Sequence, residues 1–184
     1  AGALVLEDLE DALARNATIY AEILGGVNNS GGQRAGGSMT APSPAGIVSC
    51  IRGALDKAGI SGSEVDLVCG HLTATAADKL EIECWASALG RKGADFPLIN
   101  SLKSMIGHCL SAAGSIEIVA VVLQLWRQFV HPNVNLEDPH PEIVDLISPE
   151  SMPTELINKT LNIVAKANFG FGDVNACLIF AKHR

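Results

Sequence analysis

The spacing of hydrophobic positions changes several times along the chain, and each change marks an element. Ile47, Cys50, Ile51, Ala54, Leu55 and Ala58 recur at helical spacing. That run begins behind Ser43-Pro44, a capping serine and a first-turn proline, and stops at Gly59. Asp78 to Leu89 predicts a second helix, and a third runs from His108 to Trp126, apolar on nearly every face. The short apolar runs Val65–Cys69 and Phe96–Asn100 predict buried strands. Asn162–Asn168 and Val174–Ala181 are apolar strands on either side of Phe169-Gly170-Phe171-Gly172-Asp173, so they are expected to form a hairpin-like pair. Near the start, Ala1–Leu6 and Thr18–Gly25 read as strands, expected to be neighbours. Between them Glu7–Arg15 reads as a short helix with acidic residues first and Arg15 last. Gly25 to Gly46 is rich in Gly, Asn, Ser and Pro and reads as a surface loop, because its glycine pairs lack the register of a phosphate cradle. The Pro-rich stretch His131–Pro153 predicts an irregular crossover.

Strands alternating with helices, closed by two strands, predict an α/β fold: a mixed sheet with helices packed on it, in a single domain over residues 1–184. A composition of 48% apolar residues with only 4% aromatics fits close-packed helices on a sheet. The net charge of −7, without a basic run, argues against nucleic acid as a partner. Cys50, Cys69, Cys84, Cys109 and Cys177 show no metal spacing, so the expectation is no metal and reduced thiols in a cytoplasmic protein. The longest apolar run carries Glu117 and reads as a core helix, leaving no membrane partner and no signal peptide. The chain opens inside an apolar run with no initiator Met, which reads as a fragment or as one chain of a nicked protein.

Candidate chemistry gathers in Asn100 to Glu117. Lys103, His108 and Glu117 stand among small and apolar residues at the exit of a strand, where α/β sheets place their sites. Glu117 must find a partner or shift its pKa. A second histidine, His71, leaves the strand before it, in Gly70-His71-Leu72-Thr73-Ala74-Thr75. Either histidine alone could be structural; together they could aim two donors at one developing oxyanion.

Lys103-Ser104, Gly107-His108, Ala112-Ala113-Gly114 and Glu117 together resemble the second histidine motif of the β-ketoacyl-acyl-carrier-protein synthases, condensing enzymes of the thiolase fold. His71 to Thr75 resembles their first histidine motif, with Leu72 and Ala74 in place of smaller residues and one residue fewer before the acidic pair Asp78 and Glu81. Phe169 to Ala176 resembles their FGFGGTNA loop, with Asp173-Val174 replacing Gly-Thr. The resemblance implies the C-terminal half of a thiolase-like fold. It implies His71 and His108 as donors to an enolate, Lys103 as the charge that tunes them, and Glu117 as its counter-ion. Thr73 and Thr75 would contact the pantetheine arm, and Phe171, with Gly170 beside it, would gate the acyl pocket. It implies no cofactor beyond the phosphopantetheine of an acyl carrier protein, and as further partners the N-terminal half of the synthase and a second copy in a homodimer.

None of the five cysteines has the strand-to-helix setting of that family's nucleophile, so this chain alone is expected not to condense substrates. Adjacent helical residues point about 100° apart, which excludes a His108–Cys109 dyad. The leading reading is an acyltransferase, the C-terminal part of a β-ketoacyl synthase. The alternative is a non-catalytic partner of the chain-length-factor type, and the coenzyme A-dependent thiolase branch fits the lysine–histidine spacing less well.

Overall fold

The computed structural model describes residues 1–183. Its main sheet has five strands: β1 (Glu22–Ser30), β2 (Leu67–Cys69), β3 (Leu98–Asn100), β6 (Ile163–Gly170) and β7 (Val174–Ala181), in the order β1-β7-β6-β2-β3. β7 runs antiparallel to both β1 and β6, while β2 lies parallel to β6 and β3, so the sheet is mixed. A two-stranded ribbon, β4 (Phe129–Val130) with β5 (Ile157–Asn158), sits apart.

Side-chain alternation along β6 sorts the core into two layers. Ala165, Ala167 and Phe169 join Cys177 and Ile179 of β7 under α2 (Pro44–Ala58) and α3 (Ala77–Leu89). On the other face Val164 and Phe180 pack with Val121 and Leu125 of α5 (Ala113–Arg127). Ser43 caps α2 by accepting the Gly46 N–H, Pro44 opens it, and Gly59 ends it at φ 68°, as its sequence predicts.

The structure corrects several expectations. Ala1–Leu6 is not a strand; it has no ladder partner and lies over the start of α5, with the Gly2 N–H 3.4 Å from Ser115 Oγ. The short helix α1 (Leu9–Ala14) forms where expected, capped by Asp8. The next strand is shifted toward the C-terminus and runs on to Ser30, inside the stretch read as a loop, because β7 supplies ladder partners that far. Gly25 permits this edge to meet α2, where a Cβ would stand 2.7 Å from the Ala58 nitrogen. The helix expected from His108 starts later, as a 3-10 turn (Leu110–Ala112) that leads into α5, and a separate short helix, α4 (Lys103–Ile106), precedes it and ends at Gly107 with φ 78°. Nor is α5 buried all round. The buried positions form one stripe, Ala113, Glu117, Val121, Gln124 and Leu125, while Leu123 and Trp126 are exposed. The crossover contains the short helix α6 (Pro141–Val144), and β6 and β7 form the expected hairpin. Leu110–Arg127 is long and apolar enough to cross a membrane by length and composition, but here Val121 and Leu125 are fully covered by the sheet.

Candidate active site

The parallel strands β2, β3 and β6 end on one edge of the sheet, and the loops leaving them carry the polar groups. β2 pairs with β6 at Cys69 opposite Lys166. Two residues further along each chain, His71 and Asn168 meet, with Asn168 Nδ2 3.3 Å from His71 Nδ1. The His71 loop is fixed from beneath by carboxylates. Glu81 of α3 accepts the His71 and Leu72 N–H groups at 2.7 and 2.9 Å and the Trp85 indole N–H at 3.2 Å. Burial pushes its carboxyl up to about 7 against those three donors. Asp78 accepts the Thr73 and Ala74 N–H groups, which holds Ala74 in the left-handed region at φ 57°. The loop is thereby closed through side chains.

His108 follows Gly107 and is exposed. Its Nδ1 accepts the Leu110 N–H at 3.1 Å, with Leu110 at φ 48°. The rings of His71 and His108 meet edge to face, centroids 5.2 Å apart, and the Phe169 ring lies 6.3 Å from that of His71. Beside them Glu117 binds two lysines at once: Lys103 Nζ at 2.5 Å through Oε1 and Lys166 Nζ at 2.7 Å through Oε2, with all three side chains buried. Asn168 Nδ2 donates to the same Oε2 at 3.0 Å. The cluster of two lysines and one glutamate keeps one net positive charge next to the histidines. Burial alone would raise the Glu117 carboxyl, but Lys166, with the contacts from Lys103 and Asn168, outweighs it and holds the carboxyl low. Burial lowers the Lys103 ammonium, and Lys166 adds to that shift.

Burial is also the largest cause for His71, followed by the charges on Lys103 and Lys166; together they push its imidazole down to about 3. His71 is therefore neutral at working pH, and its ring signals in an NMR titration should stay flat from pH 8 to 5. The unfolded chain takes up its proton near 6.5 and the folded one near 3, so the stability that His71 confers declines as pH falls through that interval. A His71 midpoint near 6.5 would mean that the ring is solvated and the charge cluster does not reach it.

Of the residues singled out in the sequence, the structure brings His71, His108, Lys103 and Glu117 together. Thr73 and Thr75 flank them, hydroxyls 3.0 Å apart. A cavity of about 310 Å³ opens between Lys103, His108 and Thr73 and an apolar wall that includes Leu72, Ile82 and Leu136. Phe171 and Gly170 stand exposed at the β6–β7 turn. Lys166 and Asn168 escaped sequence reasoning, although a lysine and an asparagine two apart in an apolar strand mark one polar face within it. Four cysteines are buried; burial raises Cys50 and Cys69 to about 11 and Cys84 to about 12, and lifts Cys177 as well. Cys109 turns its sulfur toward the Gly107 carbonyl, 3.9 Å away, not toward His108. Among the described residues no three His, Cys, Asp or Glu side chains converge as a metal site.

Residues 20–137 match the family model for the beta-ketoacyl synthase C-terminal domain. The whole chain is 40% identical to the chloroplastic 3-oxoacyl-[acyl-carrier-protein] synthase II of Arabidopsis thaliana and covers 33% of that protein. Among solved structures, 97% of the chain superposes, with a TM-score of 0.84 and 32% identity, on 42% of a type II polyketide ketosynthase that is bound to a hexaketide and in complex with its acyl-carrier protein. A further 0.84 superposition, at 33% identity over 96% of the chain and 41% of the other, is with the ishigamide ketosynthase/chain length factor. The chain thus spans about a third of that relative and two fifths of those structures. These neighbours share the thiolase-like α/β fold, and their mixed sheet is the one described above.

Proposed function

Because the chain belongs to the β-ketoacyl synthases, as their C-terminal domain, we propose that it supplies the decarboxylating half of a condensing enzyme. The reaction extends an acyl thioester by two carbons from malonyl carrier protein. In the first step the bond from the malonyl α-carbon to its carboxylate breaks and carbon dioxide leaves. The electron pair passes into an enolate whose charge sits on the thioester oxygen. The two imidazoles serve that oxygen as N–H donors. The enolate carbon then attacks the acyl thioester, and the cysteine thiolate that held the acyl group departs. The observation that carries this reading is the edge-to-face convergence of His71 and His108 against the buried Lys103–Glu117–Lys166 cluster.

The cysteine is assigned to the remainder of a longer protein, since burial disfavours the thiolate of the four buried ones here and Cys109 faces away from His108. That N-terminal half would cover the apolar rim left open beside His108, where Met105, Ile106 and Leu110 are exposed. Thr73, which lines the cavity, and Thr75, whose hydroxyl lies 3.0 Å from that of Thr73, fit the amide-bearing pantetheine arm of an acyl carrier protein. Phe171, exposed at the turn, would close over that arm. The reading includes one domain over 1–184, a homodimer of the complete enzyme, and a reducing cytoplasmic setting for the five free thiols.

The test supplies acyl and malonyl carrier protein to the full-length protein and follows carbon dioxide and β-ketoacyl product. Release of both is expected. Binding of the acyl carrier protein without carbon dioxide release would favour the chain-length-factor reading, to which the second of the superposed structures gives weight.

A further inference from the structure

We propose that Asn168 is a positioning residue that fixes which nitrogen of His71 carries its proton. The inference rests on the donor role given to His71 above. Glu117 settles the orientation of the Asn168 amide: its Oε2, already bound to Lys166, lies 3.0 Å from Nδ2 and can only accept. Reversing the amide would set two oxygens against each other beside a carboxylate. With Nδ2 turned to Glu117, its second hydrogen is left for His71 Nδ1 at 3.3 Å. His71 Nδ1 is then the acceptor, and the proton of the neutral ring sits on Nε2. The Asn168 oxygen faces Gly114 in the first turn of α5, where a Cβ would stand 3.4 Å away, so the missing side chain there leaves room for the amide.

His108 reaches the same tautomer by another route, because the Leu110 N–H occupies its Nδ1. Each ring is thus given one fixed donor on its Nδ1 and keeps an Nε2–H. The chain Lys166–Glu117–Asn168–His71 does for one histidine, through side chains, what a backbone amide does for the other. A donor preset in this way needs no reorganisation when charge develops on the substrate oxygen.

The experiment reads the tautomer directly by long-range ¹H–¹⁵N NMR of His71 in the full-length protein, with no substrate present. The wild type should show protonated Nε2 and bare Nδ1. Asn168→Asp should reverse this, because a carboxylate at 168 accepts from Nδ1–H. Carbon dioxide release from malonyl carrier protein should then fall by about 10²-fold, the loss of one oxyanion donor. A wild-type His71 protonated on Nδ1 overturns the proposal even if the variant does not fold. So does an Asn168→Asp protein that keeps Nε2–H. A wild type with Nε2–H but no carbon dioxide release upholds the role of Asn168 and sinks the functional reading instead, so the two failures are told apart.

Discussion

Glu117→Ala is expected to cost about 3–5 kcal/mol of stability, the penalty for removing one side of a buried ion pair. The effect is large because the carboxylate serves two cations. Lys103 and Lys166 are both buried and both reach it, through different oxygens. Without it two ammonium groups face each other in a low-dielectric site, and the Asn168 amide loses its acceptor too. Urea unfolding should show a lower midpoint with an unchanged slope. A loss under about 1 kcal/mol, the level of an exposed pair, would show that the lysines relax into water and that the cluster is not a closed unit.

His108→Ala should lower malonyl decarboxylation by about 10²–10³, equal to about 2.7–4 kcal/mol of transition-state stabilisation. Stability should hardly move. His108 is exposed, and the contacts given up are the Leu110 N–H and the edge of His71. On the proposed reading, acyl transfer to a cysteine of the full-length protein should survive, because no negative charge develops at this ring in that step. The two half-reactions can be followed separately, with acyl and with malonyl carrier protein. Equal loss of both would assign His108 to holding the 107–110 turn.

The helices on the α2–α3 face were legible because their signals are local. A serine–proline start and a glycine stop bracket α2, and the stop glycine adopts the left-handed φ that such a stop requires. The late start of the third predicted helix was not legible. The left-handed Leu110 that makes the 3-10 turn is set by its N–H bond to the His108 ring, a contact no period announces. In the site, Lys103, His108 and Glu117 lie within one stretch of chain and could be read together. Lys166 and Asn168 could not be tied to them, because their link to Glu117 runs from one element to another: α5 lies over the alternate face of β6. Asp173 shows the same limit. Read as one half of a Gly-Thr replacement, it proves fully buried, its carboxylate accepting the Gln33 and Ser43 N–H groups and pinning the glycine-rich loop after β1.

The pairing of β1 with β7 has a consequence for synthesis. Their ladder joins positions roughly 150 residues apart, so at about 5–20 residues per second β1 leaves the ribosome on the order of ten to thirty seconds before its partner strand exists. During that wait it is an unpaired edge, the kind of segment that recruits other chains. Its sequence, Glu22-Ile23-Leu24-Gly25-Gly26-Val27-Asn28-Asn29-Ser30, is poor in β-formers. A strand so poor in β-formers is expected to stay uncommitted until β7 arrives, and the same weakness disguised half of it as a loop.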